Sequence, residues 1–359
     1  MRKYSTILRF ATGALLVSVV LLFALRAGEP HHKGRSLTSW LDQYWRAPQE
    51  EDESGRTQAQ HAICAIGASK ALPHLLTMLK AEDGWLRSWI ARKNDYWDFR
   101  AFKTRSAEGT REFGIAGFEA LGTNCASALP ELTGLLEDRK LAVAAVRCLY
   151  CIGKPAEAAL RQSLTNQDWQ VRRVAISALA KVLDDPGEFI ASVKPCLQDT
   201  QSNVRYAALS AIAHHTQAPD LVIPVLVSAL QDPDERFASR AAWLLGNFAT
   251  NAPGVIGTLT NAVEDPRTAV AGAALRTLVS VAPQRALPIV LSWLKSPDPA
   301  RRVRAVINLR GYPGAIPEIQ AALESAATDP DERVSGAAQN FRAQVDRTRR
   351  RSGKRPPSE

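Results

Sequence analysis

The chain repeats itself. Segments beginning at Val171, Val204, Phe237, Val270 and Val303 align, and every start follows the one before by the same step. A fixed period of about 33 residues marks a stacked array, in which one unit cannot bury its apolar face alone and closes it against the next. Such a chain has no single central core and, by default, no enclosed catalytic crevice. It offers a long surface instead, and long surfaces bind.

Each unit reads as two helices. In one of them the first helix runs Leu221 to Leu230, a polar turn follows from Gln231 to Arg236, and the second helix runs Phe237 to Gly246. Apolar residues recur three and four apart, the helical spacing. No useful stretch alternates with period two, so no sheet is expected. Aspartate recurs in the turn at Asp138, Asp199, Asp232, Asp265, Asp298 and Asp329, where its carboxylate is suited to cap the helix that follows. Small residues recur inside the second helices: Ala175 and Ala178, Ala208 and Ala211, Ala241 and Ala242, Ala273 and Ala274. They let neighbouring helices approach, while Leu179, Ile212 and Leu245 fill the space between layers.

These residues resemble the HEAT repeat family. The marks are an apolar first helix often carrying proline, an aspartate in the turn, and Val-Arg opening an alanine-rich second helix. Val171-Arg172, Val204-Arg205 and Val303-Arg304 keep the pair; Phe237-Ala238, Val270-Ala271 and Val334-Ser335 depart from it. The resemblance implies a ladder between the turn aspartate and this arginine, interrupted where the arginine is missing. It covers roughly residues 57 to 345.

Earlier copies are less regular. Leu141 opens a second helix a little less than one period before Val171, and Phe113 opens one a little less than a period before Leu141. Gln58 to Ile66 looks like another, well over one period ahead of Phe113. That interval therefore carries an insertion, at about 82–110. The last interval, Val303 to Val334, is slightly short of the period. The expected organisation is a leader over 1–30, a short capping helix and linker over 31–56, a solenoid over 57–346 and a tail over 347–359.

The leader begins with a basic stretch containing Arg2, Lys3 and Arg9, then runs without charge from Phe10 to Leu25. As a helix that run spans about 24 Å, against roughly 30 Å of hydrocarbon, and extension back to Ile7 helps because Arg9 can snorkel. A cleaved signal peptide needs small residues before the cut, and Arg26 spoils that site. An uncleaved membrane anchor fits better. Both readings put the solenoid on the extracytoplasmic side; a helix buried in the solenoid is the third reading. The tail carries Arg347, Arg349, Arg350, Arg351, Lys354 and Arg355, so much of the net charge of +9 is a tail property. It reads as a solvated, disordered end that can touch anionic lipid or polymer.

Local chemistry is sparse. The chain has five cysteines, Cys64, Cys125, Cys148, Cys151 and Cys196, which is not a disulfide framework. Cys148-Leu-Tyr-Cys151 lacks the histidine of a haem motif and a second ligand pair for zinc, so core packing is the better account. HEAT-like hydroxylases with a di-iron centre carry His-Glu pairs, and no His-Glu pair occurs here. His214-His215 reads as a surface helix end. No nucleophile triad, phosphate loop or paired carboxylate follows from spacing. Gly122, Gly153 and Gly246 sit where helices should stop. No catalytic residue, metal or cofactor is expected.

Two stretches carry binding character. The insertion gathers Trp85, Trp89, Tyr96, Trp97, Phe99 and Phe102 with Arg87, Arg92, Lys93 and Arg100. Aromatics with arginine suit a binding hot spot, a membrane interface or single-stranded nucleic acid; a lid packed on the first repeats is the alternative. Residues Gly34 to Trp45 form a short amphipathic helix capped by Ser36 or Thr38, with Leu37, Trp40, Leu41 and Trp45 on one face. This segment is similar to one that precedes the repeats in some exported bacterial HEAT proteins. Gln49 to Gly55 looks like a linker.

The expected fold is all-α, a right-handed α-solenoid of about eight HEAT-like helix pairs behind an N-terminal membrane helix. The expected function is a non-enzymatic, protein-binding scaffold of the cell envelope. By the resemblance, second helices line the inner surface, and Arg173, Tyr206, Arg240 and Arg276 are the candidate contacts there, joined by Trp85, Trp89, Arg92 and Trp97 in the insertion. Rival readings are nucleic-acid or anionic-polymer binding through a basic surface and the Arg347–Arg355 tail, and a HEAT-like lyase. Export and the concentration of charge in the tail count against nucleic acid.

Overall fold

The computed structural model describes residues 28–49, 51–83, 106–312 and 317–351. The leader from Phe10 to Leu25, the aromatic stretch with Trp85, Trp89, Arg92 and Trp97, and the last basic residues of the tail lie outside the described residues. Among those described, no single helix is long and apolar enough to cross a membrane. The chain divides into two compact units, Met1–Asp184 and Asp185–Glu359.

The first unit opens on a feature the sequence reading excluded. His31–His32 (β1) pairs antiparallel with Arg35–Ser36 (β2). The strands are too short for any alternation to show. Their link is a two-residue turn, Lys33 at φ 47° and Gly34 at φ 74°, and two positive φ values are what such a hairpin demands. Ser36 then caps Leu37–Arg46 (α1), its hydroxyl accepting from Ser39 N. Leu37, Trp40, Leu41 and Tyr44 are buried, whereas Trp45 is exposed and leans on Phe113 at 6.0 Å between ring centres. The apolar face thus turns one residue away from the expected one, because four residues on from Trp40 is Tyr44.

Where the sequence suggests a linker over Gln49 to Gly55, helix Glu53–Ile66 (α2) has already begun, since the Asp52 carboxylate accepts from Gly55 N at 2.8 Å. Ala68–Leu79 (α3), Ala107–Leu121 (α4), Leu129–Gly134 (α5), Ala142–Ile152 (α6), Glu157–Ser163 (α7) and Trp169–Val182 (α8) complete the unit. α3 packs on α4, α4 on α6, and α6 on α8. Gly117 lets α3 and α4 touch: a Cβ there would lie 2.3 Å from Leu75 Cδ2.

The second unit contains Pro186–Val193 (α9), Ser202–Ala213 (α10), Pro219–Ala229 (α11), Glu235–Leu245 (α12), Gly254–Ala262 (α13), Thr268–Val281 (α14), Pro283–Trp293 (α15), Pro299–Leu309 (α16), Pro317–Ala326 (α17) and Glu332–Arg351 (α18). Second helices pack in series, α10 on α12, α12 on α14, α14 on α16 and α16 on α18, and each first helix packs on the second helix of its own pair. Val204 and Val270 are fully buried, as is Val171 in the first unit.

The fifth repeat is out of register with the sequence alignment. Val303 is only half-buried. The core residues Ala274, Leu275 and Leu278 of α14 are matched in α16 by Ala305, Val306 and Leu309, all fully buried and each two positions short of a full period. The arginines agree. Arg172 and Arg205 each donate to the carbonyl six residues back, of Asn166 and Asp199, and Arg302 does the same to Ser296. The position equivalent to Val270 is therefore Arg301, and the short step lies between Val270 and Arg301. The run Arg302-Val303-Arg304 imitates the Val-Arg pair two residues out of place.

Asp298 caps α16 as expected, but the other five turn aspartates act differently. Asp138, Asp199, Asp232, Asp265 and Asp329 accept from the amide two residues on, at 2.8–2.9 Å, closing a tight turn ahead of the helix. True helix capping falls to Asp168, Asp185, Asp234 and Asp298. Gly122 and Gly153 end their helices with positive φ. Gly246 does not: it is right-handed and runs on into a short 3₁₀ turn. Its role is contact, since a Cβ there would lie 2.6 Å from Thr277 Cγ2 on α14.

Candidate functional site

Three successive second helices, α10, α12 and α14, bring together three of the arginine and tyrosine positions picked out in the sequence. Tyr206, Arg240 and Arg276 line one surface groove of about 400 Å³, with Arg236, Ser239, Trp243 and Ala273. The volume lies within the range of about 300–1,000 Å³ usual for ligand clefts. The groove is a product of the period. One repeat step carries Tyr206 to Ser239, Ala207 to Arg240 to Ala273, and Ser210 to Trp243 to Arg276. Large side chains stand at the rims, and the small ones, Ser239 and Ala273, leave the space between them.

The rims are held in place. Tyr206 stands edge-on to the buried Phe237 ring at 5.7 Å. Its phenol is raised above the usual tyrosine range, first by burial and then by the nearby Asp234 charge. The Arg240 guanidinium lies 4.3 Å from the centre of the Trp243 ring and donates to Ser210 Oγ at 3.4 Å. Trp243 is 50% exposed, the most open large apolar side chain among the described residues. The Ser239 hydroxyl is buried without a hydrogen-bond partner among the described residues. Arg236, Arg240 and Arg276 form no ion pair with a carboxylate of the described residues.

That last fact separates them from the structural arginines. Arg205 bonds the Asp234 carboxylate at 2.8 Å, and Arg302 holds Asp329. The ladder is broken where Ala238 and Ala271 replace arginine, but Arg267 mends the first gap from the far side: it pairs with Asp265 and reaches back to the carbonyls of Leu230 and Asp232.

Arg173, the fourth candidate, is exposed on α8 in the first unit and is not among the groove residues. Trp243, Arg236 and Ser239 were not singled out from sequence; the repeat step through Arg276 and Tyr206 was the signal that could have found Trp243 and Ser239. A second, polar cleft of about 910 Å³ in the first unit was also missed. Arg139, Gln162, Asn166, Asp168 and Trp169 are among its lining residues. It is built from the turns ahead of α6 and α8, where apolar periodicity carries no information.

Three of the five thiols are held protonated by burial. Burial pushes Cys125 and Cys151 up to about 12 and raises Cys148 well above its usual value, so none is a thiolate at neutral pH. His214 Nδ1 bonds Ser210 O at 2.6 Å at the end of α10, and His215 lies tilted against Phe189, 4.8 Å between ring centres, with its pKa lowered by burial. Among the described residues, no three His, Cys, Asp or Glu side chains are grouped to hold a metal ion.

Residues 190–270 and 223–310 match the model of the HEAT repeats family. No curated protein sequence matches the chain. Solved structures with a similar course include an engineered protein, at 18% identity over 86% of this chain and 95% of that one, TM-score 0.33. Kap95p, in a structure in which its binding induces the switch loops of RanGDP to adopt the GTP-bound conformation, is 13% identical over 85% of this chain, TM-score 0.46; the chain spans about half of it, 49%. Human deoxyhypusine hydroxylase is 19% identical over 68% of this chain and 92% of that one, TM-score 0.29. The two matched windows overlap and together span residues 190 to 310, so this stretch of the chain resembles HEAT repeats.

Proposed function

We propose that this chain is a scaffold that binds a protein partner without chemistry, through the groove between α10, α12 and α14. One observation carries the reading. Trp243 stands half in solvent with Arg240 stacked on it, beside arginines that no carboxylate of the described residues neutralises. An aromatic ring and arginines around a small depression are the make-up of an interface hot spot. HEAT solenoids serve commonly as protein-binding scaffolds, which fits.

The basic start and the uncharged run from Phe10 to Leu25 support a leader that anchors or exports the chain, with the repeats on the extracytoplasmic side. The aromatic and basic residues of the 85–102 stretch, with Trp85, Trp89, Arg92 and Trp97, extend the proposed contact surface. A photo-crosslinking amino acid in place of Trp243, expressed in the native cell envelope, tests the reading. Capture of a discrete protein that is lost when the crosslinker is moved to exposed Asn247 supports it. Equal, diffuse labelling from both positions counts against it.

A further inference from the structure

The groove also says what kind of partner it takes. We infer that it holds an extended acidic segment of a protein, whose carboxylates pair with Arg240 and Arg276 while an apolar or aromatic side chain lies against Trp243. This rests on the protein-binding reading above and narrows it.

Charge is the first ground. Arg236, Arg240 and Arg276 line the groove, and no carboxylate of the described residues pairs with them, whereas Arg205, Arg267, Arg302 and Arg333 are each paired with one. The groove arginines cluster around one surface depression, whereas Arg267 sits in a turn and Arg205, Arg302 and Arg333 in the first turn of their helices. Guanidinium groups bind carboxylates in a two-pronged fashion, so a partner with Glu or Asp supplies what the fold leaves out.

Depth is the second ground. Ser239 and Ala273 leave a depression between the rims, into which an extended chain can settle between Tyr206, Trp243 and Arg276.

The border of the patch decides against a polyphosphate. The turn beside the groove carries Asp232 and Asp234, the latter paired with Arg205, and runs into Glu235 at the start of α12; Asp234 and Asp232 both act on the Tyr206 phenol, and Glu235 acts on Arg267. A nucleic acid brings an unbroken line of charge that must cross this acidic edge. A peptide can place two or three carboxylates over the arginines and stay neutral at the rim.

The test is fluorescence anisotropy on the full chain in mild detergent. The probe is a fluorescein-labelled ten-residue peptide alternating Glu and Gly with one central Tyr; its Gln counterpart is the control. The Glu peptide should bind at least tenfold more tightly than the Gln peptide at low salt, and the difference should shrink in high salt. R240A/R276A should abolish the difference. A273F, which fills the groove and leaves every charge in place, should weaken the Glu peptide as well; circular dichroism confirms that both variants fold.

Equal binding of the two peptides, or a preference that survives R240A/R276A, overturns the proposal. So does tighter binding of a twenty-nucleotide oligothymidine at the same arginines, or self-association of the protein through this face. If crosslinking at position 243 captures a protein while the Glu peptide fails, the acidic segment is wrong and the scaffold reading stands. If both fail, the groove is not the binding surface.

Discussion

Arg302 holds Asp329 in a two-pronged grip, Nε to Oδ2 at 2.8 Å and Nη2 to Oδ1 at 2.9 Å. The same guanidinium also donates to the carbonyls of Ser296 and Pro297. One side chain thus ties the turn before α16 to the turn before α18. R302A should lower the thermal midpoint, and R302K should recover only part of the loss, because an ammonium cannot span both carboxylate oxygens. A midpoint for R302K equal to wild type would show that charge alone suffices.

Acid should loosen the second unit. Side-chain bonds from Arg267, Arg302 and Arg333 hold the carboxyls of Asp265, Asp329 and Asp331 below the usual range, Asp331 at about 2. A pKa depressed in the folded state stabilises above the unfolded value of about 3.9, and that stability is lost as pH falls through the folded value. The thermal midpoint should stay level from pH 7 to 5 and drop between about pH 4 and 2. D265N and D329N should lower it at pH 7 and flatten the acid limb.

Gly246 and Thr277 mark a close approach of α12 and α14. G246A puts a methyl 2.6 Å from Thr277 Cγ2, an overpacking that should cost about 1–3 kcal/mol in urea unfolding. The double variant G246A/T277S removes the opposing methyl and should recover much of it. A G246A variant as stable as wild type would mean that the helices part freely there.

The register of α16 is open to a simple comparison. Val334 is fully buried, whereas Val303 is half-exposed. V334A should cost about 1–3 kcal/mol through lost burial and a cavity, and V303A less than about 1 kcal/mol. The reverse ranking restores Val303 to the core and removes the shortened step from its place.

The cysteines should separate by exposure. Cys64 is on the surface, and Cys125, Cys148 and Cys196 are buried. A disulfide reagent at pH 7.5 should modify Cys64 promptly, while Cys125, Cys148 and the high-pKa Cys151 wait for unfolding. Prompt reaction of Cys148 would mean that α6 opens readily.

The sequence by itself determined the helical pairs and their period, because burial against a neighbour imposes the same apolar spacing on every copy. Val204, Phe237 and Val270 are buried where that spacing puts them. It also led to Tyr206, Arg240 and Arg276, through their positions on second helices. Tertiary structure alone decided three things. It moved the fifth copy by two residues, since Arg302 is recognised by the carbonyl and carboxylate it reaches, not by the valine beside it. It gave five of the six turn aspartates, all but Asp298, a local bond in place of the helix cap, a choice made by backbone geometry two residues away. And it opened the groove, which exists because Ser239 and Ala273 are small where three helices meet side by side; a one-dimensional pattern registers small residues but not the hole that they leave.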